Sequence, residues 1–405
     1  MKIRKMLKKK YFVTVLSSIF MTLIMCLILS FFNKDYSQKI VKVGFVYIGD
    51  SSTAYTNNFC RSQMELEDVF PNNVITVAKY NIPEGNCEGA IRDLIFEGCD
   101  MIFGTSYGYG EVMKKMAAEN PKIQFVQATC SDANVQPVLA NYHNCMGRIY
   151  QGRYVAGLVA GMKLRELIEQ DKLTPAEAKI GYVAAFPYAE VISGYTAFLL
   201  GVRSVVPEAV MVVRYTDTWS NTVIERRVAE ILIDEGCVVI SQHSDTTGPA
   251  AACETASTRY GKTVFHVAYN QSMTDVAPTT SLIATRINWT PYIISAVEAV
   301  IKGKKIESVV KGDVFGNDIA AGFEYGWCEM VGLNNLIAAE GTKEAIETTI
   351  RQFKNKNFLI FKGDYIGVNP FDENDTYDLR KPFVENENQS APSFNYVLTE
   401  VITIE

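Results

Sequence analysis

Short apolar segments alternate with amphipathic helical patterns along most of this chain. Residues 41–48 form a continuous apolar run rich in β-branched and aromatic side chains, and a polar turn cluster follows at 49–52. Such a run is typical of a strand that is buried on both faces of a sheet. The next apolar positions, among them Phe59 and Leu66, have helical spacing. The pattern therefore predicts a strand, a polar loop and a helix, in that order.

The same order of strand and helix recurs in two successive sets. Short connections between these patterns predict a doubly wound parallel sheet, so two sets predict an α/β protein with two such lobes and a hinge. We predict an N-terminal lobe from residues 40–149 and 286–325, and a C-terminal lobe from residues 150–285 and 326–405. Ligands bind beyond the carboxyl ends of such strands, so loops of both lobes should face one cleft.

The last part of the chain has weaker patterns. Residues 333–353 have a helical pattern, and residues 355–364 and 395–404 have the apolar content of strands. The intervening segment 369–392 is rich in Asp, Asn, Glu and Pro, which predicts an exposed loop.

The N-terminus has the pattern of an export signal. A cluster of basic residues between Lys2 and Lys10 precedes an uncharged apolar run at 11–32. This run is long for a signal-peptide core and just long enough to span a bilayer, and flanking positive charge stays in the cytoplasm. We predict that residues 1–39 form a signal or membrane anchor, which is cleaved, retained or lipidated at Cys26. The rest of the chain should then lie outside the cytoplasm.

Charge and residue counts argue against several functions. The net charge of -6 argues against nucleic acid, because phosphate backbones attract basic surfaces. The three histidines lack metal-ligand spacing, so we expect neither a metal nor a cofactor. No order of Ser, His and Asp indicates a catalytic triad, so no residue is assigned a catalytic role. The cysteines match no zinc pattern, and we expect free thiols; if a disulfide forms, Cys130 and Cys145 are the expected pair.

Several short motifs occur in order between residues 41 and 302. They are Val-Gly-Phe-Val-Tyr from Val43, Ile-Phe-Gly-Thr-Ser-Tyr-Gly-Tyr from Ile102, Tyr-Gln-Gly-Arg-Tyr-Val-Ala-Gly from Tyr150, Ile-Gly-Tyr-Val-Ala-Ala-Phe-Pro from Ile180, Gln-His-Ser-Asp from Gln242 and Asn-Trp-Thr-Pro-Tyr from Asn288. Together these motifs resemble the basic membrane protein family, the substrate-binding components of nucleoside and nucleobase ABC importers. The resemblance implies the fold of type 1 periplasmic binding proteins.

The resemblance also implies a function. It indicates a monomer at the extracytoplasmic face of the cell membrane, attached there through its N-terminal segment. This protein would capture a purine nucleoside, a nucleobase or a related aromatic metabolite and deliver it to an ABC permease. It would not be an enzyme. The residues alone leave two alternatives open, a membrane-anchored ectodomain that senses a ligand without transport and an enzyme that processes nucleosides.

Five aromatic residues are candidates for contact with the ligand. Tyr107, Phe186 and Trp219 follow predicted strands, where their rings would sandwich a purine. Tyr55 lies in the first loop of the same kind, and Trp289 begins a predicted helix. The alternative for each is packing within its own lobe, and for Trp289 it is packing at the hinge.

Three polar residues are candidates for hydrogen bonds to the edges of the ligand. They are Asn58, Asp245 and Asn270, and the alternative role for each is helix capping. Related sequences carry Asp at the positions of Asn58 and Asn270, and Trp at that of Thr53. A carboxylate only accepts hydrogen bonds whereas an amide both donates and accepts, so we expect weaker binding of ribose hydroxyls at these positions.

Overall fold

The structure is a computed structural model that describes residues 39–405. The apolar run 11–32 and Cys26 lie outside the described residues, so the signal or anchor segment stays a prediction. Within residues 39–405, no helix has both the length and the apolar character that crossing a bilayer requires.

The described residues form sixteen strands and nine α-helices, numbered here in chain order. The strands are β1 (Val41–Val46), β2 (Val74–Lys79), β3 (Met101–Gly104), β4 (Gln124–Ala128), β5 (Tyr142–Gly147), β6 (Lys179–Ala184), β7 (Val210–Tyr215), β8 (Val239–Gln242), β9 (Phe265–Tyr269), β10 (Ser281–Ile287), β11 (Asp313–Phe315), β12 (Asp318–Ala321), β13 (Cys328–Val331), β14 (Ile366–Asn369), β15 (Asp372–Asp378) and β16 (Ile402–Ile404). The helices are α1 (Ala54–Val69), α2 (Cys87–Phe96), α3 (Gly110–Glu119), α4 (Ile149–Glu169), α5 (Ala189–Arg203), α6 (Thr222–Asp234), α7 (Gly248–Tyr260), α8 (Thr290–Ile301) and α9 (Thr342–Lys354).

Two seven-stranded sheets form the framework of the described residues. Their orders are β11-β12-β5-β4-β3-β1-β2 and β13-β10-β9-β8-β6-β7-β16. All neighbouring strands are parallel except the pairs β11–β12 and β10–β13. We call the structure around these sheets the first and the second lobe. The predicted α/β fold is confirmed for the described residues, whereas the predicted lobe boundaries stay a prediction.

The order of the strands determines where a ligand is expected. In the first sheet the connections reverse direction between β1 and β3, and in the second sheet between β6 and β8. Loops that leave the carboxyl ends of neighbouring strands diverge at such a point and leave a crevice. The candidate site lies at these ends of both sheets.

Helices α4 and α5 approach each other closely because two glycines lie at their contact. A Cβ atom on Gly157 would lie 2.0 Å from the carbonyl oxygen of Phe198, and one on Gly201 would lie 2.1 Å from that of Tyr154. Neither helix backbone has room for a side chain there. This contact fixes α4, which follows the first lobe directly, against the core of the second lobe.

From residue 39 onward the chain passes between the two sheets three times, after β5, after β10 and after β12. Arg148, at the first passage, is buried and donates to Glu324 at 3.0 Å and also to Asp313. Asp313 lies in β11, and Glu324 lies between β12 and β13. Burying a charge without a partner costs much free energy, and the ion pairs of this cluster avoid that cost. The cluster therefore holds the first passage against the third.

The last part of the chain differs from the prediction. The helix begins only at Thr342, because Gly341 before it has a φ of 76°. The predicted strand at 355–364 is wrong: the segment is irregular, and its Phe361 stacks on Phe394 with ring centroids 4.2 Å apart. The segment 369–392, predicted as a loop, contains β15, which pairs with β14. In the segment 355–364, the apolar content therefore reflects packing of aromatic rings and not pairing of strands.

The eight cysteines from Cys60 to Cys328 are free thiols. The Cys130–Cys145 pair considered from the sequence therefore does not form. Instead, the Cys130 thiol donates to the carbonyl of Tyr107 at 3.2 Å, and burial raises its pKa.

Candidate ligand pocket

A pocket lies at the carboxyl ends of the strands, between loops of both lobes. Its volume is about 430 Å³, including the mouth that opens to solvent. The first lobe provides Ile48 after β1, Tyr55 in α1, Ser106 and Tyr107 after β3, and Thr129 after β4. The second lobe provides Glu190 in α5, Trp219 after β7, His243 and Asp245 after β8, and Tyr269 at the end of β9.

Aromatic rings from both lobes meet at the mouth of the pocket. The rings of Tyr107 and Tyr188 stack across the cleft with centroids 5.0 Å apart. Tyr188 also stacks on Phe186 at 5.4 Å, and Trp219 meets Phe186 edge to face at 5.1 Å. Tyr107 is half exposed, so this stack is a surface contact between the lobes and not part of either core.

A chain of hydrogen bonds crosses the cleft on the polar side of the pocket. The Asn58 amide in α1 donates to the Asn270 side-chain oxygen at 3.2 Å, and the Asn270 amide donates to the Asp245 carboxyl at 3.0 Å. Asn58 and Asn270 are both buried. Asn270 has a φ of 65°, a conformation that Asn tolerates better than most residues. These amides thus bond to protein groups on both sides of the cleft.

A second polar group lies in the wall that the second lobe provides. The His243 ring lies 3.2 Å from the Glu190 carboxylate and packs against Tyr269. Burial and the nearby Arg153 guanidinium lower the pKa of His243 to about 4, so its Nε2–H donates to Glu190 at neutral pH. Arg153 is 1% exposed, lies 3.7 Å from the centroid of the Tyr269 ring and donates to the carbonyl of Gln242. Its Nε and Nη2 atoms are buried without a partner.

Asp245 faces the pocket with an altered protonation equilibrium. Burial, followed by the charge of Glu225, raises the pKa of Asp245 to about 8. Glu225 is buried and accepts hydrogen bonds from the backbone and hydroxyl of Thr246. Near neutral pH the Asp245 carboxyl therefore holds a proton most of the time. It can donate one hydrogen bond to a ligand while it accepts another from Asn270.

The structure brings four of the eight predicted residues to the pocket wall, Tyr55, Tyr107, Trp219 and Asp245. Of the others, Asn58 and Asn270 connect to Asp245, and Phe186 supports the ring of Trp219. Trp289 is away from the wall; it is buried and stacks on Phe59 with centroids 4.5 Å apart. Contact of any of these residues with a ligand stays a prediction.

Sequence reasoning missed five polar or aromatic members of the wall, Ser106, Thr129, Glu190, His243 and Tyr269. His243 directly follows β8, Tyr269 ends β9, and Glu190 is in the first turn of α5. His243 and Tyr269 thus lie where a doubly wound sheet presents side chains to its crevice, so their positions at strand ends could have identified them.

Within residues 39–405, no group of three or more His, Cys, Asp and Glu side chains is arranged to hold a metal ion. The groups at the pocket instead offer aromatic faces, carboxyl groups and an imidazole. Such groups can stack against a planar molecule and exchange hydrogen bonds with its edge.

Two kinds of comparison bear on the fold. A family described as ABC transporter substrate-binding protein, PnrA-like, matches residues 40–356. The solved structure of a solute-binding protein of an ABC transporter system from Aeropyrum pernix has a TM-score of 0.61 at 16% identity. That comparison covers 78% of this chain and 86% of the other.

Two relatives differ in the ligands for which they are named. A purine-binding protein of Brucella abortus is 31% identical over 272 residues, which are 66% of this chain and 71% of the relative. A protein of Haloferax volcanii, named for glucose binding by an ABC transporter, is 35% identical over 204 residues, 50% of this chain and 46% of the relative. The match to the family covers most of the described residues, and the chain belongs to the family of PnrA-like ABC transporter substrate-binding proteins.

Proposed function

We propose that this protein is the extracytoplasmic substrate-binding component of an ABC importer and that its ligand is a purine base or a compound built on one. The protein binds this ligand without chemical change and presents it to a membrane permease. The pocket between Tyr107, Trp219 and Asp245 is the observation that carries the proposal. The purine-binding relative from Brucella abortus supports the ligand class.

The walls of the pocket suit a flat, polar ring. Tyr55, Tyr107, Trp219 and Tyr269 provide aromatic surface from both lobes. Each well-placed pair of rings contributes about 0.5–1.5 kcal/mol beyond the burial of its area. A saturated sugar has no π-face, so it stacks less well on these aromatic walls than a purine does.

The polar groups match the edge of a purine. A purine edge carries N–H donors beside ring-nitrogen acceptors. Glu190 accepts hydrogen bonds, and Asp245 donates one when it is protonated. Asn58 and Asn270 bond to protein groups instead, so the ribose of a nucleoside gains little from their amides. We therefore favour a nucleobase over a nucleoside as the part that fills this pocket.

Transport follows from the position of the pocket between the lobes. The ligand touches residues of both lobes at once, so it binds the closed arrangement more tightly than an open one. A permease that contacts both lobes then distinguishes the loaded protein from the empty one.

A thermal-shift screen of the purified protein tests this function. Adenine, guanine, hypoxanthine and their nucleosides are compared with glucose and ribose. A ligand at a hundredfold excess over its Kd stabilises the folded state by about 2.7 kcal/mol, which is readily seen as a higher Tm. We expect a shift with at least one purine and none with the sugars. A shift with glucose and with no purine would overturn the proposed ligand class.

A further inference from the structure

A second, larger cavity adjoins the pocket. It has a volume of about 1240 Å³, including space open to solvent, and four residues line both cavities: Tyr107, Thr129, Glu190 and Trp219. A molecule that fills the pocket and extends past these side chains would therefore enter the second cavity. We call it the outer cavity.

One wall of the outer cavity comes from the C-terminal strap, defined as residues 385–394. The strap lies beyond the residues that match the family. Toward the second lobe, its Glu385 carboxylate accepts a hydrogen bond from the Ser193 hydroxyl in α5 at 3.2 Å. Toward the first lobe, its Ser390 N–H donates to the Asp318 carboxylate in β12 at 2.8 Å. The strap is thus attached to both lobes.

These attachments place three strap residues, Gln389, Ala391 and Pro392, in the wall of the cavity. The Ala391 N–H donates to the Ser131 hydroxyl at 2.7 Å, which fixes the backbone at this point. This wall is therefore held in place rather than formed by a free tail.

The charge of the wall restricts what the outer cavity accepts. Its carboxyl groups are those of Glu111, Asp132 and Glu190, and no Lys or Arg is among the described residues that line it. A phosphate group brought here would meet like charges without a cation to pair with. Hydroxyl and ammonium groups would instead donate hydrogen bonds to the carboxylates.

We propose that the outer cavity is a second compartment of the ligand site, completed by the C-terminal strap. It holds a substituent that is rich in hydrogen-bond donors and free of phosphate, while the pocket holds the ring. This inference rests on the proposed function. It narrows the substrate class to substituted bases and excludes nucleotides.

Calorimetric titration tests the proposal with four probes: adenine, adenosine, adenine with an aminoalkyl chain on N9, and adenosine monophosphate. The variant Ala391→Phe fills part of the outer cavity. Asn388→Phe places the same ring on an exposed part of the strap and is the matched control. The two substituted probes without phosphate, adenosine and the aminoalkyl adenine, distinguish a hydroxylated substituent from a cationic one.

We expect Ala391→Phe to weaken binding of at least one substituted probe by about tenfold to a hundredfold, the range for overpacked sites. Its affinity for adenine should stay that of the wild type. The control should bind every probe as the wild type does. A second variant, Glu111→Lys, supplies a cation and should gain measurable binding of the monophosphate, which the wild type rejects.

Two results would overturn the inference and leave the proposed function intact. One is that Ala391→Phe binds adenine and each substituted probe with the same affinity as the wild type does. The other is tight binding of the monophosphate by the wild type. Failure of every purine probe to bind the wild type would instead contradict the proposed function itself.

Discussion

Trp219 is the aromatic residue on which ligand binding should depend most. Its ring lines both the pocket and the outer cavity, and Phe186 supports it edge to face. We expect Trp219→Ala to weaken binding of the best purine by about tenfold or more, because it removes a stacking surface together with buried area. Titration calorimetry measures the change.

Two controls make the Trp219 result specific. Trp219→Phe keeps an aromatic face and should retain most of the affinity. Tyr260→Ala removes a ring from an exposed position in α7 and should leave binding unchanged. Wild-type affinity in Trp219→Ala would remove this residue from the site.

Asp245 gives the stability of the protein a distinctive dependence on pH. Its pKa in the folded state, about 8, lies above the value of about 3.9 for an unfolded Asp, so the folded state binds more protons between these values. This contribution to stability is full below about pH 4 and is lost as the pH rises through about 8. The pKa of Asp245 is also raised by the charges of Glu225 and Glu190 and lowered by the charge of Arg153.

Two buried histidines make stability increase as the pH rises, and they act over a lower pH range than Asp245 does. Burial lowers the pKa of His243 to about 4 and that of His266 to about 3, so their contributions are lost as the pH falls below about 6.5. The window from about pH 6.5 to 8 therefore lies above the range in which these two histidines act.

Within that window, Asp245→Asn should make stability less sensitive to pH. An amide cannot lose the proton, so the Tm of the variant should fall less than that of the wild type between about pH 6.5 and 8. Asp275→Asn, at an exposed carboxylate of the same lobe, is the control and should follow the wild type. Parallel Tm curves for Asp245→Asn and the wild type would contradict the assigned shift.

At the scale of elements, one hydrogen bond joins α1 to the loop after β9. Asn58→Ala removes this bond to Asn270, which is worth about 1 kcal/mol to the closed arrangement. We expect a larger radius of gyration for the ligand-free protein in X-ray scattering and a several-fold weaker affinity. Asn57→Ala, one residue earlier in α1, should change neither. A closed, wild-type scattering profile for Asn58→Ala would show that this bond does not hold the lobes together.

The contact between α4 and α5 predicts a large loss of stability from a small substitution. In Gly157→Ala the new methyl group would overlap the Phe198 carbonyl, so the helices must separate. Overpacking of this kind costs about 1–3 kcal/mol, and chemical denaturation measures it.

Gly89→Ala is a matched control for Gly157→Ala. Gly89 lies in α2, and a Cβ atom there would meet nothing within 4 Å. Alanine should therefore stabilise the protein by about 0.5–1 kcal/mol through its helix propensity. Equal effects of the two substitutions would contradict the close approach of α4 and α5.

The strands and helices of the two sheets could be predicted because each is a single apolar or amphipathic segment bounded by turn residues. Most of the C-terminal region could not, although β16 lies within the strand predicted at 395–404. Phe361 is apolar because it packs against Phe394, and a pattern of apolar residues cannot distinguish that role from a strand. In the same way, the pairing of β14 with β15 depends on partners that a sequence pattern does not identify.

The pocket was predictable only in part, for a related reason. Trp219 and Asp245 stand out because they occur in loops after strands. The hydrogen bonds from Asn58 to Asn270 and on to Asp245 join residues far apart in the chain, and only the folded arrangement of the lobes brings them together. Trp289 illustrates the reverse case, because its prominence in the sequence reflects stacking on Phe59 in the core.

At the scale of the whole molecule, the two lobes are connected in two different ways. Three passages of the chain join them, with Arg148 paired to acidic residues at the first passage. The C-terminal strap adds hydrogen bonds to both lobes beside the cavities. Under the proposed function, we expect opening of the cleft to break or displace the strap as well as to bend the passages. Ligand release would then be coupled to a segment outside the part that matches the family.

The central claim is that the pocket between the lobes is where this protein holds a purine ring. A crystal structure of the protein grown with the best purine from the thermal-shift screen tests it most directly. We expect electron density for the ring within contact distance of Trp219 and Asp245, with residues of both lobes around it. Density for the purine at another place, with an unfilled pocket at saturating concentration, would show that this pocket is not the purine site.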